Sequence, residues 1–323
     1  MKIRGMNTIQ LASILLFIVV GCGNKSSEKS SKTTTFMNSR IIFVEETEAA
    51  KLLSTSDEFT QVQSAFDFAS KTNNVEGNQE QDYLTYAGSQ AQAWTEKEIE
   101  ETKKVIEEAD AKIKEKGIEL SLPDVIKLVK STIMEEGGAA GYTRGNYIVF
   151  KTAPGIHLFL HELFHVFSRA NPVKRDAFYN TISFQKMDRL SYPKQLSASK
   201  ITNPDAPHFE HFLTVQTADG QKDVVIITNA SKPYAGGSFF EYFELLLLVV
   251  EGEGSDKSVV MKDDMPVTLE FGDAVDFREK VGNNTNYIIH PEEILAEHFT
   301  MIFSDDEVKD PQFISSLEEI LKN

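Results

Sequence analysis

The chain has 323 residues and one cysteine, Cys22. A single thiol excludes an intramolecular disulfide and a cysteine-built metal cluster, so stability must come from an apolar core, which a chain of this length can supply in one or two domains. No apolar run approaches the ~20 residues of a comfortable membrane span. The longest, Ile9–Val20, lies near the amino terminus. Positive charge is scarce: 33 Lys and Arg face 49 Asp and Glu, a formal charge of −16. That balance argues against nucleic-acid binding and against flat adsorption on anionic lipid. Histidine is sparse too, at seven residues, which gives weight to any place where two fall together.

The amino terminus has the layout of a targeting segment. Lys2 and Arg4 form a short basic region, Ile9–Val20 is apolar, and Val19-Val20-Gly21-Cys22 follows. The last four resemble a bacterial lipobox, which implies cleavage before Cys22 and a lipid on its thiol. The expectation is an exported lipoprotein of the cell envelope, with residues 1–21 as signal peptide. Residues 22–40, Ser-, Lys- and Thr-rich, read as a flexible tether.

Two histidines do fall together, in His161-Glu162-Leu163-Phe164-His165, inside the apolar stretch Ile156–Phe167. On a helix, residues four apart share a face, so His161 and His165 can offer two imidazoles to one cation. Glu162 lies about 100° round the helix, where it can serve a water rather than the cation. An apolar helix that buries two histidines and a glutamate needs partners for them. Two imidazoles, a base and an open position suit catalytic zinc, which takes three protein ligands. Asn171 rules out a third histidine just downstream. The later stretch His290–Phe299 reads as a helix start, with Pro291 in its first turn and Glu292 and Glu293 at its positive end. Glu293 and Glu297 share a face, with small Ala296 beside them. Glu293 is the expected third ligand, and Glu297 the acceptor behind a ligand histidine. Glu292 is the rival ligand, with only Ala296 at its i+4 position.

HELFH followed by EILAE resembles the gluzincin metallopeptidases, whose pattern is HExxH and a downstream ExxA(D/E). The stretch Asn286–Glu293 also resembles segments of bacterial lipoproteins regarded as zinc peptidases. The resemblance covers Gly138 to Phe303. It implies one zinc on His161, His165 and Glu293, Glu162 as general base, Glu297 behind a ligand, and a peptide or protein substrate. No GAMEN-like segment points to the aminopeptidase branch. The long separation between His165 and Glu293 implies an inserted subdomain. The alternatives are a zincin-like scaffold lipoprotein without turnover, and an amidase acting on cell-wall peptides. An oxyanion donor is expected from Tyr287 or His290, with Tyr142 and Tyr234 as further candidates. His157 stands one turn before His161, too far along the axis to share its cation. His208, His211 and His298 read as structural or exposed.

The expected fold is α+β: a zincin-like domain with a mixed sheet, an active-site helix and a β-rich insertion. The expected organisation is a mainly helical region over 41–136, then a catalytic region over 137–323 with the insertion at about 200–285. Arg40–Val44 reads as a short strand or helix lead-in. Thr47–Lys71 reads as helical, Lys71–Gln81 as a loop and Thr95–Lys116 as a solvent-facing helix with i, i+4 charge pairs. Leu122–Met134 is amphipathic and opens with Ser121 and Pro123, as helices do. Asn146–Phe150 reads as a strand, expected at the sheet edge to pair with an extended substrate. Ala170–Ser199 is mixed, with a short helix. Asn203–Pro207 is a loop. Phe212–Val215 and Val224–Thr228 form a hairpin. Phe239–Glu251 is a buried strand or helix, Val259–Phe277 holds short strands, and Pro311–Lys322 is a helix.

Overall fold

A computed structural model describes residues 31–76, 79–305 and 307–323. Residues 1–30, with the expected signal peptide, Cys22 and the start of the tether, lie outside the described residues. Among those described, no helix is long and apolar enough to cross a membrane. The chain is mixed α and β.

The elements run β1 (Thr33–Phe36), β2 (Ser39–Phe43), α1 (Glu46–Leu53), α2 (Ala65–Lys71), α3 (Glu80–Ser89), α4 (Glu96–Glu115), β3 (Val125–Lys130), β4 (Gly141–Arg144), β5 (Tyr147–Phe150), α5 (Ile156–Ala170) and α6 (Pro172–Thr181). Then come β6 (Phe184–Lys186), β7 (His211–Thr217), β8 (Gly220–Ala230), β9 (Phe243–Glu251), four two-residue strands between Ser258 and Leu269, α7 (Phe277–Val281), α8 (Pro291–Ile302) and α9 (Pro311–Lys322).

The first sheet has the order β1-β2-β3-β5-β4. Its centre is parallel and its two margins are antiparallel. Alternation assigns its faces. Ile41, Phe43, Ile126, Leu128, Ile148 and Phe150 join a core with α4, α5 and α8, while Val129, Tyr147 and Val149 pack with Leu53, Tyr83 and Leu84 from α1 and α3. The second sheet is antiparallel and built from the later chain, with β7, β8 and β9 at its centre.

Four expectations are corrected. Residues 33–40 are not tether but two paired strands. Val125–Lys130 is a strand, not part of a helix: Ile126 and Val129 are β-branched, and pairing with β2 and β5 outweighs local amphipathicity. Since β2 and β3 share a sheet with β4 and β5, the boundary between 136 and 137 separates no two bodies. Asn146–Phe150 does supply a strand, but β5 lies inside the sheet and β4 is the edge.

Two further segments are refined. Helix α4 is half-buried rather than solvent-facing. Ile99, Thr102, Ile106, Ala109 and Ile113 line its inner side at helical spacing, and a Thr95–Glu98 capping box opens it. The stretch 47–71 is two helices with a 3-10 turn between them, not one run. The hairpin at Gly220, the strand of Phe243–Glu251, and helices α8 and α9 appear where expected.

Candidate metal centre and cleft

Helix α5 is buried continuously from Phe159 to Ser168. Its apolar side is held by Phe159 against Phe36 (5.8 Å between rings) and by Phe164 against Phe299 of α8 (5.4 Å). This packing brings the histidines of α5 against the glutamates of α8. Pro291 and the His290 cap fix where α8 starts, with His290 Nδ1 accepting the Glu292 N–H at 3.1 Å.

His161 Nε2 lies 3.0 Å from Glu293 Oε2, and His165 Nε2 lies 3.5 Å from the same oxygen. The three side chains offer ligand atoms within 4.8 Å of one another, all buried. A tetrahedral ion with bonds of about 2.1 Å separates its ligand atoms by about 3.4 Å, so the observed spacings fit a zinc-sized ion. His165 Nε2 is buried with no hydrogen-bond partner, which suits a nitrogen that binds a metal ion.

Both outer nitrogens are held by carboxylates. His161 Nδ1 stands 2.9 Å from Glu297 Oε1. His165 Nδ1 stands 3.2 Å from Glu292 Oε1, and Glu292 Oε2 also accepts from Ser168 Oγ (2.9 Å) and Tyr179 Oη (2.6 Å). Sequence reasoning assigned Glu292 no partner. Consecutive helical residues point about 100° apart, so Glu292 and Glu293 address different faces of the histidine pair, and that offset was the available signal.

The electrostatics follow from burial against pairing. Burial opposes charge on His161, but its bonds to Glu293 and Glu297 outweigh it and raise its pKa to about 10. His165 is raised in the same sense by Glu293, Asp205 and Glu292, against its own burial. Glu293 is held well below the usual carboxylate range by the two histidines, despite burial. Glu162 goes the other way: burial, and then the Asp205 carboxylate, lift it to about 8, and its Oε2 is buried without a partner.

Asp205 was not expected at the site. It comes from the Asn203–Pro207 loop and groups with Glu162 and His165, their reactive atoms within 4.8 Å of one another. The same loop places Asn203 Nδ2 2.6 Å from Glu293 Oε1.

Of the expected oxyanion donors, Tyr287 is near: its ring lies 6.1 Å from that of His161, and the residue is 45% exposed. Burial of its hydroxyl, with Glu293, Asp205 and Glu162 close by, raises its pKa and keeps it a neutral donor. His290 is not brought to that side. It caps α8 and lines a polar cavity behind His165 with Tyr179 and His211. Tyr142 donates to Glu135 at 2.9 Å, and Tyr234 to Asn73 at 2.7 Å. His157 stands 3.8 Å from Glu297 and stacks on the His161 ring at 6.5 Å. His211 pairs with Asp176, His208 with Glu58, and His298 packs on Phe313.

Beside the centre lies a recess of about 210 Å³, lined by Gly141, Asn203, Asp205, Tyr287, Ile289 and the aromatic run at Phe239, Phe240 and Phe243. That exceeds the ~150 Å³ apolar cavity known to hold a benzene ring.

No family model matches the chain, and no curated protein and no solved structure matches it either.

Proposed function

We propose that the chain is a zinc-dependent peptidase of zincin type, held in the cell envelope by a lipid on Cys22. Its ligands are His161, His165 and Glu293, and Glu162 is the general base. The observation that carries this reading is the convergence of two imidazole nitrogens and one carboxylate oxygen on a zinc-sized point, with a carboxylate behind each imidazole. An N, N, O set that leaves a position open suits catalytic rather than structural zinc.

When bound, zinc supplies Lewis acidity, which acidifies a water and polarises a carbonyl. Glu297 and Glu292 fix the tautomers of the two histidines so that each turns its Nε2 inward. Glu162 stands beside this point with Oε2 unpartnered and takes the proton of the attacking water. It returns that proton to the leaving amine. Its carboxylate form, disfavoured by burial, is favoured by an adjacent cation. Tyr287, neutral and half-exposed at the mouth, donates to the developing oxyanion. The recess beside it receives a substrate side chain.

The test is elemental analysis of the full chain with Glu293→Ala alongside, then cleavage of a mixed-peptide library with Glu162→Gln alongside. The reading expects about one zinc per chain, much less after Glu293→Ala, and cutting that Glu162→Gln abolishes without zinc loss. No zinc in the wild type would sink the mechanism. Zinc without cutting of any peptide would favour a scaffold, and cutting confined to cell-wall peptides would favour an amidase.

A further inference from the structure

The outer edge of β4 is open at one residue and sealed two residues later. In an antiparallel pair, successive residues turn their N–H and C=O toward the partner strand and then away from it. Gly141 stands opposite Phe150 and Thr143 opposite Ile148. The Phe150 C=O accepts the Ser131 N–H, on the side away from β4, and the Thr143 N–H donates to Asp205 Oδ1 at 2.6 Å. Gly141 and Thr143 therefore both face outward.

Gly141 opens on the recess and lies against the base: a Cβ there would stand 2.9 Å from Glu162 Oε1. Thr143 is closed. Its hydroxyl also donates to Asp205 Oδ1, at 2.8 Å. The Arg169 guanidinium ties Thr143 Oγ1, the Gly145 carbonyl and the Asp205 carbonyl together at 3.0 to 3.2 Å.

A peptide strand added to this edge pairs at Gly141, with its reacting carbonyl beside Glu162. In one direction it runs on past Ala139. In the other, strand residues advance about 3.4 Å each, so the next outward position, about 7 Å away, is already taken by the Asp205 loop. The cleft is blind on that side and has room for one residue.

The wall that closes it carries a carboxyl group. Asp205 Oδ1 is spent on Thr143, Oδ2 accepts no hydrogen bond among the described residues, and Arg169 reaches only the Asp205 main chain. Glu162 Oε2, which is buried, is also unpartnered in the same cluster. A carboxylate whose outer oxygen accepts no hydrogen bond, at the end of a blind cleft, attracts an ammonium group and repels a terminal carboxylate. A peptide's α-amino nitrogen lies two bonds from its first carbonyl carbon. The group that holds it must therefore sit within a few Å of the base and the ligands, as Asp205 does.

We infer that the site takes peptides by their free amino terminus, with Asp205 Oδ2 receiving the α-ammonium group and Gly141 pairing with the main chain. This rests on the peptidase reading above. Water adds across the first peptide bond, its hydroxyl going to the carbonyl carbon and its proton to the leaving amine. One amino acid and a shortened peptide are released.

The test compares leucine p-nitroanilide with N-acetyl-leucine p-nitroanilide on the zinc-loaded full chain. A parallel calorimetric titration of L-leucinamide and N-acetyl-L-leucinamide uses the zinc-free chain. The free amine should be cut at least 100-fold faster, and only L-leucinamide should bind. Asp205→Asn keeps an acceptor for Thr143 and so preserves the clamp. It should raise KM for the free-amine substrate at least tenfold, weaken L-leucinamide binding alike, and leave zinc content unchanged. Equal cutting of both anilides would overturn the inference and leave the peptidase intact. So would faster cutting of the acetylated one by Asp205→Asn, which would make the loop a barrier. If no peptide is cut, the peptidase reading fails, and the L-leucinamide titration still decides whether the amine site exists.

Discussion

Glu292 and Glu293 are neighbours in sequence with opposite duties. Glu293 faces the point between the two histidines, and Glu292 reaches round to the far nitrogen of His165, where Ser168 and Tyr179 hold it in place. Replacing Glu292 by Gln should therefore weaken zinc about 10- to 100-fold without removing a ligand, measured by competition with a chelator. Glu293→Ala should do far more in the same assay. Gly141 makes a second prediction. An added methyl would press on Glu162 Oε1, so Gly141→Ala should lower kcat while zinc affinity stays within a few-fold of wild type. At this scale the sequence showed which residue types met the chemistry. His161, Glu162 and His165 were legible because one helical turn fixes their relation. Asp205 was not, because a loop residue carries no periodicity to tie it to a helix forty positions away.

At the scale of elements, α5 and α8 were readable from apolar spacing and from the Pro291 start. Strand β3 was not, because Val125–Lys130 has helix-like amphipathic neighbours and becomes a strand only by lying between β2 and β5. The outer side of α8 supplies a pH prediction. His298 is buried with Nδ1 unpartnered and stacks on Phe313 at the start of α9. Burial outweighs the pull of Glu297 and Asp310 and lowers its pKa from 6.5 to about 4. The unfolded chain thus binds this proton more readily than the folded one. The stability His298 leaves intact above pH 6.5 is lost as the pH falls toward 4, by about 1.4 kcal/mol per unit at the steepest. Urea titrations at pH 7.5 and pH 5 should show the loss, and His298→Gln should shrink the difference between them.

The whole molecule joins α5 and α8 through a shared core, in which Phe164, Phe299, Leu163 and Leu295 are all buried. Unlike a small metal-folded domain, this chain should keep its secondary structure when zinc is removed. Chelation should leave far-ultraviolet circular dichroism unchanged but lower Tm by several degrees, because a ligand at 1,000 times its Kd contributes about 4 kcal/mol of stability. Collapse of the circular dichroism signal on chelation would show that the metal, not the core, organises α5 against α8.

The sequence by itself determined the helix that carries His161 and His165 on one face, the helix start that carries Glu292 and Glu293, the acidic charge and the hairpin after β7, since each depends on residues within a few turns of one another. Only the tertiary structure decided that β4 and not β5 is the sheet edge, that Glu292 supports His165, that His290 turns away from the cleft, and that Asp205 closes it. Those outcomes depend on which distant segments pack together, and contacts across a hundred residues leave no local pattern to read.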